Sequence, residues 1–208
     1  MSGHDLSALV SVRLCHDLIS PMGAIGNGLE LLQLAGGAGG PELALVNDSL
    51  ATALAKLRFY RVAFGPADAQ ARQSLEEAAQ ITDAMFHGRF TVAWEAGNRD
   101  LGRPLVRLAF LAILCLEKSL PMGGMVRVGL REGALRLGVD GRRTQPPREL
   151  WAHVTEGAGL AELRPDAVQF ALLRQALVAA GHRADARFGE SSAEVELVLS
   201  PQLAEARP

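Results

Sequence analysis

Two long stretches of helical periodicity, divided by a run of glycines, decide most of what this chain can fold into. Across residues 5–34, apolar side chains recur at helical steps: Leu6, Leu9, Val10, Leu14, Leu18, Met22, Ile25, Leu29 and Leu32. Ala35-Gly-Gly-Ala-Gly-Gly-Pro41 then breaks the pattern. Glycine is cheap at a helix C-terminus, and proline suits the first turn of the next helix. A second helix is predicted over residues 41–64, with a stripe at Leu43, Val46, Leu50, Leu54, Leu57, Arg61 and Phe64, stopped by Gly65-Pro66. So short a link makes the helices antiparallel neighbours. Each stripe is wider than one partner helix covers, since Ile19, Leu31, Ala53 and Phe59 flank it. Two hairpins from two chains, packed as a four-helix bundle, remove that surface from water, so a homodimer is predicted.

The remainder reads differently. A chain of 208 residues holds one large domain or two small ones, and 49% hydrophobic with 21% charged residues is a globular composition. The boundary is placed at Gly65-Pro66-Ala67-Asp68, giving a helical domain over 1–65 and a second domain over 66–208. Helices are predicted over 70–86, 105–120 and 166–180, and strands over 90–94, 126–131, 134–139 and 194–199. Glu132-Gly133 has the chemistry of a tight hairpin turn. This mixture implies an open sheet covered by helices on one face. The fold class is therefore an α hairpin followed by an α/β layer domain.

Several classes are excluded. With 21 basic and 23 acidic residues the net charge is −2, which argues against wholesale binding to nucleic acid or an anionic membrane. Cys15 and Cys115 make no disulfide framework or metal cluster, and both sit in apolar helical patterns as small hydrophobes. The opening residues lack the pattern of a signal peptide. The apolar run over 105–116 contains Arg107 and is too short to span a bilayer. A reducing, cytoplasmic setting is expected. His4, His87, His153 (placed in a loop) and His182 lack metal-ligand spacing and are read as structural or surface residues, and Trp94 and Trp151 as packing residues.

His16 is different. On the helical wheel it lies about 160–200° from Leu14 and Leu18, so it faces solvent. Its neighbours on that side, Arg13, Ser20, Gly23 and Asn27, form a small polar stripe that lets another protein approach. A neutral imidazole is a good nucleophile near neutral pH. Asp17 beside it is placed to accept the proton of the non-reacting ring nitrogen, provided the rotamers allow it. Pro21 removes the backbone bond to the Asp17 carbonyl and is expected to kink the helix. With a hairpin turning near residue 38, equal helical rise sets His16 about level with Tyr60, beside Lys56, Arg58 and Arg61. Such cations offset the negative charge of a phosphohistidine and suit an acidic partner pocket.

His16-Asp-Leu-Ile-Ser-Pro-Met22 resembles the phosphoacceptor motif of histidine kinase dimerisation domains. The run over 14–32, with Leu57-Arg-Phe-Tyr-Arg-Val-Ala-Phe-Gly65, is similar to the ChpT-type histidine phosphotransferases of alphaproteobacteria, over nearly the whole chain. That resemblance implies a dimeric four-helix bundle carrying phosphohistidine at His16, with Asp17 as its motif neighbour. It also implies a histidine-kinase-ATPase-like α/β sandwich that no longer binds ATP. Implied partners are response-regulator receiver domains, one of them fused to a hybrid histidine kinase, with Mg²⁺ supplied by the receiver and no cofactor of the chain's own.

An ATP-dependent kinase needs an Asn on a helix for magnesium, an Asp-x-Gly-x-Gly turn and a glycine-rich lid. The 105–120 segment has no Asn, Asp140-Gly-Arg-Arg has the wrong glycine pattern, and Gly157-Ala-Gly-Leu160 is only faintly lid-like. The expectation is a phosphorelay intermediate; the alternatives are an ATP-dependent kinase and a non-catalytic scaffold that binds receivers.

Overall fold

The computed structural model describes residues 5–34, 40–95, 100–131 and 133–199. Helix α1 (Leu6–Leu34) and helix α2 (Pro41–Ala63) form the expected antiparallel hairpin. Pro41 opens α2, as its fixed φ suits a first helical turn. The glycine-rich link 35–39 lies outside the described residues, as does His4. Helix α1 runs on through Pro21 without interruption. It meets α2 closely at the buried Gly28, where a Cβ would sit 2.6 Å from Val46 Cγ2.

The sheet beyond holds five strands in the order β2-β4-β5-β7-β6. These are β2 (Phe90–Trp94), β4 (Gly124–Arg131), β5 (Ala134–Gly141), β6 (Arg183–Phe188) and β7 (Ser192–Val198). Only β2 and β4 are parallel; the other pairings are antiparallel. Arg131 pairs with Ala134 across the predicted two-residue turn, where Gly133 takes φ +75°. A small antiparallel pair, β1 (Arg72–Ser74) with β3 (Asp100–Gly102), stands apart. Helices α3 (Leu75–Met85), α4 (Arg103–Ser119), α5 (Arg148–Glu156) and α6 (Val168–Ala179) complete the domain.

The sheet is two-faced, as strand periodicity requires. Val126, Val128, Leu135, Leu137, Val139, Val195 and Leu197 are buried in the core with α4 and α6. The other face is a ladder of opposite charges: Arg127 with Asp140, and Arg136 with Glu196 at 3.1 Å. Helices therefore cover one face only.

Four details depart from the sequence reading. The helix expected over 70–86 begins at Leu75, because Ser74 caps it by accepting from the Glu77 N–H at 3.0 Å. Strands β1, β3 and β6 and helix α5 were not foreseen; each is short or, like β6, mixes Arg, Asp and Ala. His153 lies on α5 and not in a loop, with Nδ1 2.7 Å from the Ala158 carbonyl. Cys115 is buried as expected, but Cys15 is exposed in this single chain. By length and composition α1 is the one described helix long and apolar enough to cross a membrane. It nevertheless carries Arg13, Asp17 and Glu30 and packs along α2.

The proposed boundary does not separate two cores. Phe59, Tyr60, Val62 and Ala63, at the end of α2, belong to the same buried cluster as α4 and the sheet. Phe59 stacks on Phe110 at 4.6 Å and meets Phe86 edge-on at 5.2 Å. Arg107 Nε caps the Ala63 carbonyl at 3.2 Å. Truncating such a fully buried aromatic costs about 3–5 kcal/mol, so Phe59→Ala should lower the denaturant midpoint sharply; a loss under about 1 kcal/mol would show that the two halves are not joined here.

Candidate functional site

The site is built around a carboxylate. The His16 side chain is 84% exposed, whereas Asp17 beside it is 16% exposed. Adjacent residues on a helix differ by about 100° in direction. One side chain therefore looks to solvent while the next turns towards α2.

Asp17 uses both of its oxygens. Oδ2 accepts from the Tyr60 hydroxyl and from Arg13 Nε. Oδ1 lies 3.2 Å from His16 Nδ1. Burial alone would raise the Asp17 carboxyl, but the hydrogen bonds from Tyr60 and Arg13, with the Arg13 charge, hold it below its ordinary value. Asp17 is thus an anion and accepts only, so Nδ1 of His16 must be the donor. In the neutral ring Nε2 is then the nitrogen with the free lone pair, on a side chain that is largely exposed.

Pro21 explains a further contact. In a regular helix the Asp17 carbonyl accepts from the N–H four residues on, and proline has none. The Lys56 ammonium takes that carbonyl at 2.8 Å. Arg13 extends the network, its Nη1 donating to the Asp166 carbonyl at 2.9 Å. Lys118 at the end of α4 pairs with the Asp166 carboxylate at 2.5 Å. Glu117 on α4 faces the fields of Arg13, Asp17, Arg89 and Lys56, and burial raises its carboxyl. The hairpin is therefore fastened to α4 and to the start of α6 at the level of His16.

Of the residues singled out from the sequence, His16, Asp17, Arg13, Lys56 and Tyr60 meet here. Ser20, Gly23 and Asn27 are exposed along the helix face of His16, and a Cβ on Gly23 would touch nothing within 4 Å. Tyr60 and Arg13, expected on the partner-facing surface, are instead turned inward to Asp17; Tyr60 is 3% exposed. Arg58 and Arg61 are exposed, and Arg58 lies about 200° around α2 from both Lys56 and Tyr60, on the opposite side. Level along the hairpin did not mean same face. Asp166, Lys118 and Glu117 were missed because nothing local marks them; they reach the site through tertiary packing. Among the described residues, no cluster of three or more His, Cys, Asp or Glu side chains is set to hold a metal ion.

An outward imidazole beside a half-buried carboxylate on a helical hairpin is the arrangement of an accessible histidine nucleophile. Residues 75–191 match the histidine phosphotransferase C-terminal domain. The chain is 37% identical over 161 residues to the protein phosphotransferase ChpT of Brucella abortus (strain 2308), covering 74% of this chain and 76% of that one. The solved structure of a bacterial phosphotransferase superposes with a TM-score of 0.79 and 29% identity, over 95% of this chain and 97% of its own. This chain belongs to the histidine phosphotransferase family.

The Asp17 environment makes stability depend on pH. Its folded pKa lies below the ordinary 3.8, so the unfolded chain takes up the proton first. The carboxylate therefore contributes stability above the ordinary value and loses it as pH falls through the folded one. Asp166 acts in the same sense, lowered chiefly by the Lys118 hydrogen bond. Denaturant midpoints measured from about pH 6 to pH 2 should fall on acidification, less steeply for Asp17→Asn. An equally steep fall in the variant would remove Asp17 as a contributor.

Proposed function

We propose that the chain relays phosphoryl groups between aspartates of response-regulator receiver domains through a phosphohistidine at His16. The observation that carries this is the 84% exposed imidazole whose Nδ1 is engaged by Asp17 at 3.2 Å. The Nε2 lone pair attacks the phosphorus of a receiver's aspartyl phosphate. The N–P bond forms as the acyl O–P bond breaks, and the electron pair leaves with the receiver's carboxylate. The ring keeps its Nδ1 proton, and the resulting cation faces the Asp17 anion. In the second half, another receiver's aspartate attacks the phosphorus and the N–P electron pair returns to Nε2. Mg²⁺ belongs to the acidic receiver pocket.

The working unit in this reading is a homodimer. Ile19, Met22, Leu29, Leu43, Leu50, Leu54 and Leu57 are each at least 41% exposed in one chain. An apolar face of that extent on a helical hairpin calls for a second copy. Cys15 lies on the same face of α1, between Ile19 and Met22 by helical angle. The second domain serves as a docking surface, and ATP is not its ligand. Its Asp140 is paired with Arg127, and Gly157 closes the C-terminus of α5 at φ +78° instead of opening a lid. The setting is cytoplasmic, and one receiver is that of a hybrid histidine kinase, as in the family the sequence resembles.

Two experiments test these statements. Incubated with a receiver labelled at its aspartyl phosphate, wild type should take up label and His16→Ala should not; labelled ATP should mark neither. Label from ATP would restore the kinase reading, and relay flux surviving His16→Ala would favour a scaffold. Leu54→Arg, which leaves the site untouched, should convert a dimer to a monomer by light scattering; a variant that stays dimeric would move the interface elsewhere.

A further inference from the structure

Tyr60 is the buried group whose role the relay does not by itself require. Its ring is fixed on two sides, stacked on Phe64 with centroids 5.0 Å apart and edge-on to Phe59 at 6.1 Å. Phe59 is in turn stacked on Phe110 of α4, so the phenol stands on the core of the second domain. From there its hydroxyl donates to Oδ2 of Asp17, the oxygen that also accepts from Arg13 Nε. The carboxylate is thus anchored through one oxygen by two donors, and only the other is left for His16 Nδ1 at 3.2 Å. A carboxylate held by one donor alone turns about its Cβ–Cγ bond, which is a soft torsion. Two donors from two different helices remove that freedom.

We propose that Tyr60 is a positioning residue for transfer at His16: it locks the Asp17 carboxylate so that the imidazole holds its proton on Nδ1 and presents Nε2 to phosphorus. The proposal rests on the relay reading above. Tyr60 itself touches neither phosphoryl group nor receiver, and no proton leaves it; its phenol is held far above the ordinary value by burial and by the bond to Asp17.

The role makes a distinctive pH prediction. The charged and titratable groups around Asp17 are Arg13 and His16 on α1, Lys56 and Tyr60 on α2, Glu117 and Lys118 on α4, and Asp166 ahead of α6. Of these, Tyr60 and Arg13 donate directly to the carboxylate. Removing the Tyr60 donor raises the Asp17 pKa, so the stability of Tyr60→Phe should start to fall at a higher pH on acidification than that of wild type.

The test uses the full-length protein and phosphoramidate as the phosphoryl donor to His16. Tyr60→Phe keeps the ring and its packing, and should slow phosphohistidine formation roughly tenfold, the loss of one hydrogen bond to a charged group. In an Asp17→Asn background the same change should cost less than about twofold, because Tyr60 acts through Asp17. Equal losses in the two backgrounds would make Tyr60 a merely structural residue and overturn the proposal. Nitrogen-15 NMR of the unphosphorylated wild type should show His16 protonated at Nδ1, with the other tautomer growing in Tyr60→Phe. A wild-type ring protonated at Nε2 would also overturn it. The tautomer spectrum needs no transfer, so it decides the positioning role even if His16 takes up no phosphoryl group.

Discussion

A carboxylate that orients a nucleophile has to be dry enough to hold one geometry and ionised enough to accept a proton donor. Those demands conflict, since burial drives a carboxyl towards its neutral form. Asp17 meets both because Arg13 and Tyr60 place two hydrogen bonds and a positive charge on a single oxygen. The rest of the structure can be followed outward from that point. Tyr60 needs a fixed ring, which Phe59 and Phe64 provide. Phe59 needs the aromatic core of the second domain. Arg13 is held at its far end by the Asp166 carbonyl, and Asp166 by Lys118.

This chain of dependence connects the second domain to the Asp17 site. The end of α2, from Phe59 to Ala63, lies inside that domain's core, so the hairpin and the sheet share one buried cluster. Pro21 adds to the coupling by leaving the Asp17 carbonyl without its helical donor, a vacancy that Lys56 fills from across the hairpin. A defect that in an isolated helix would merely weaken it becomes a crosslink between two helices at the level of the nucleophile. The charged ladder on the open sheet face, by contrast, is satisfied within the sheet and solvated.

Much of this was legible in the sequence, and the failures share a cause. The helical hairpin, the buried α4 and the clean hairpin of β4 and β5 follow from periodicity and turn chemistry, which are local. The outward direction of His16 follows from the same wheel that turns Leu14 and Leu18 to the other side of α1. Strand β6 was missed because Arg183, Asp185 and Arg187 occupy alternate positions, leaving only two alanines and Phe188 to signal its inner face. Helical level correctly brought Tyr60 and Lys56 to His16, but level alone does not fix direction, so Arg58 was included and the inward turn of Tyr60 was not seen. The anchoring of Arg13 on Asp166 spans 153 residues of sequence and leaves no local trace.

The i, i+1 spacing of His16 and Asp17 has a geometric consequence of its own. A pair at i and i+4 would share one helix face, and burying the carboxylate would then bury the imidazole with it. Neighbouring positions about 100° apart allow the opposite outcome, with Asp17 turned towards α2 and His16 left largely exposed. The resulting contact at 3.2 Å is longer than the bonds that hold Asp17 from behind. The carboxylate is held more closely by its own scaffold than by the imidazole, so its orientation is set from behind by Arg13 and Tyr60.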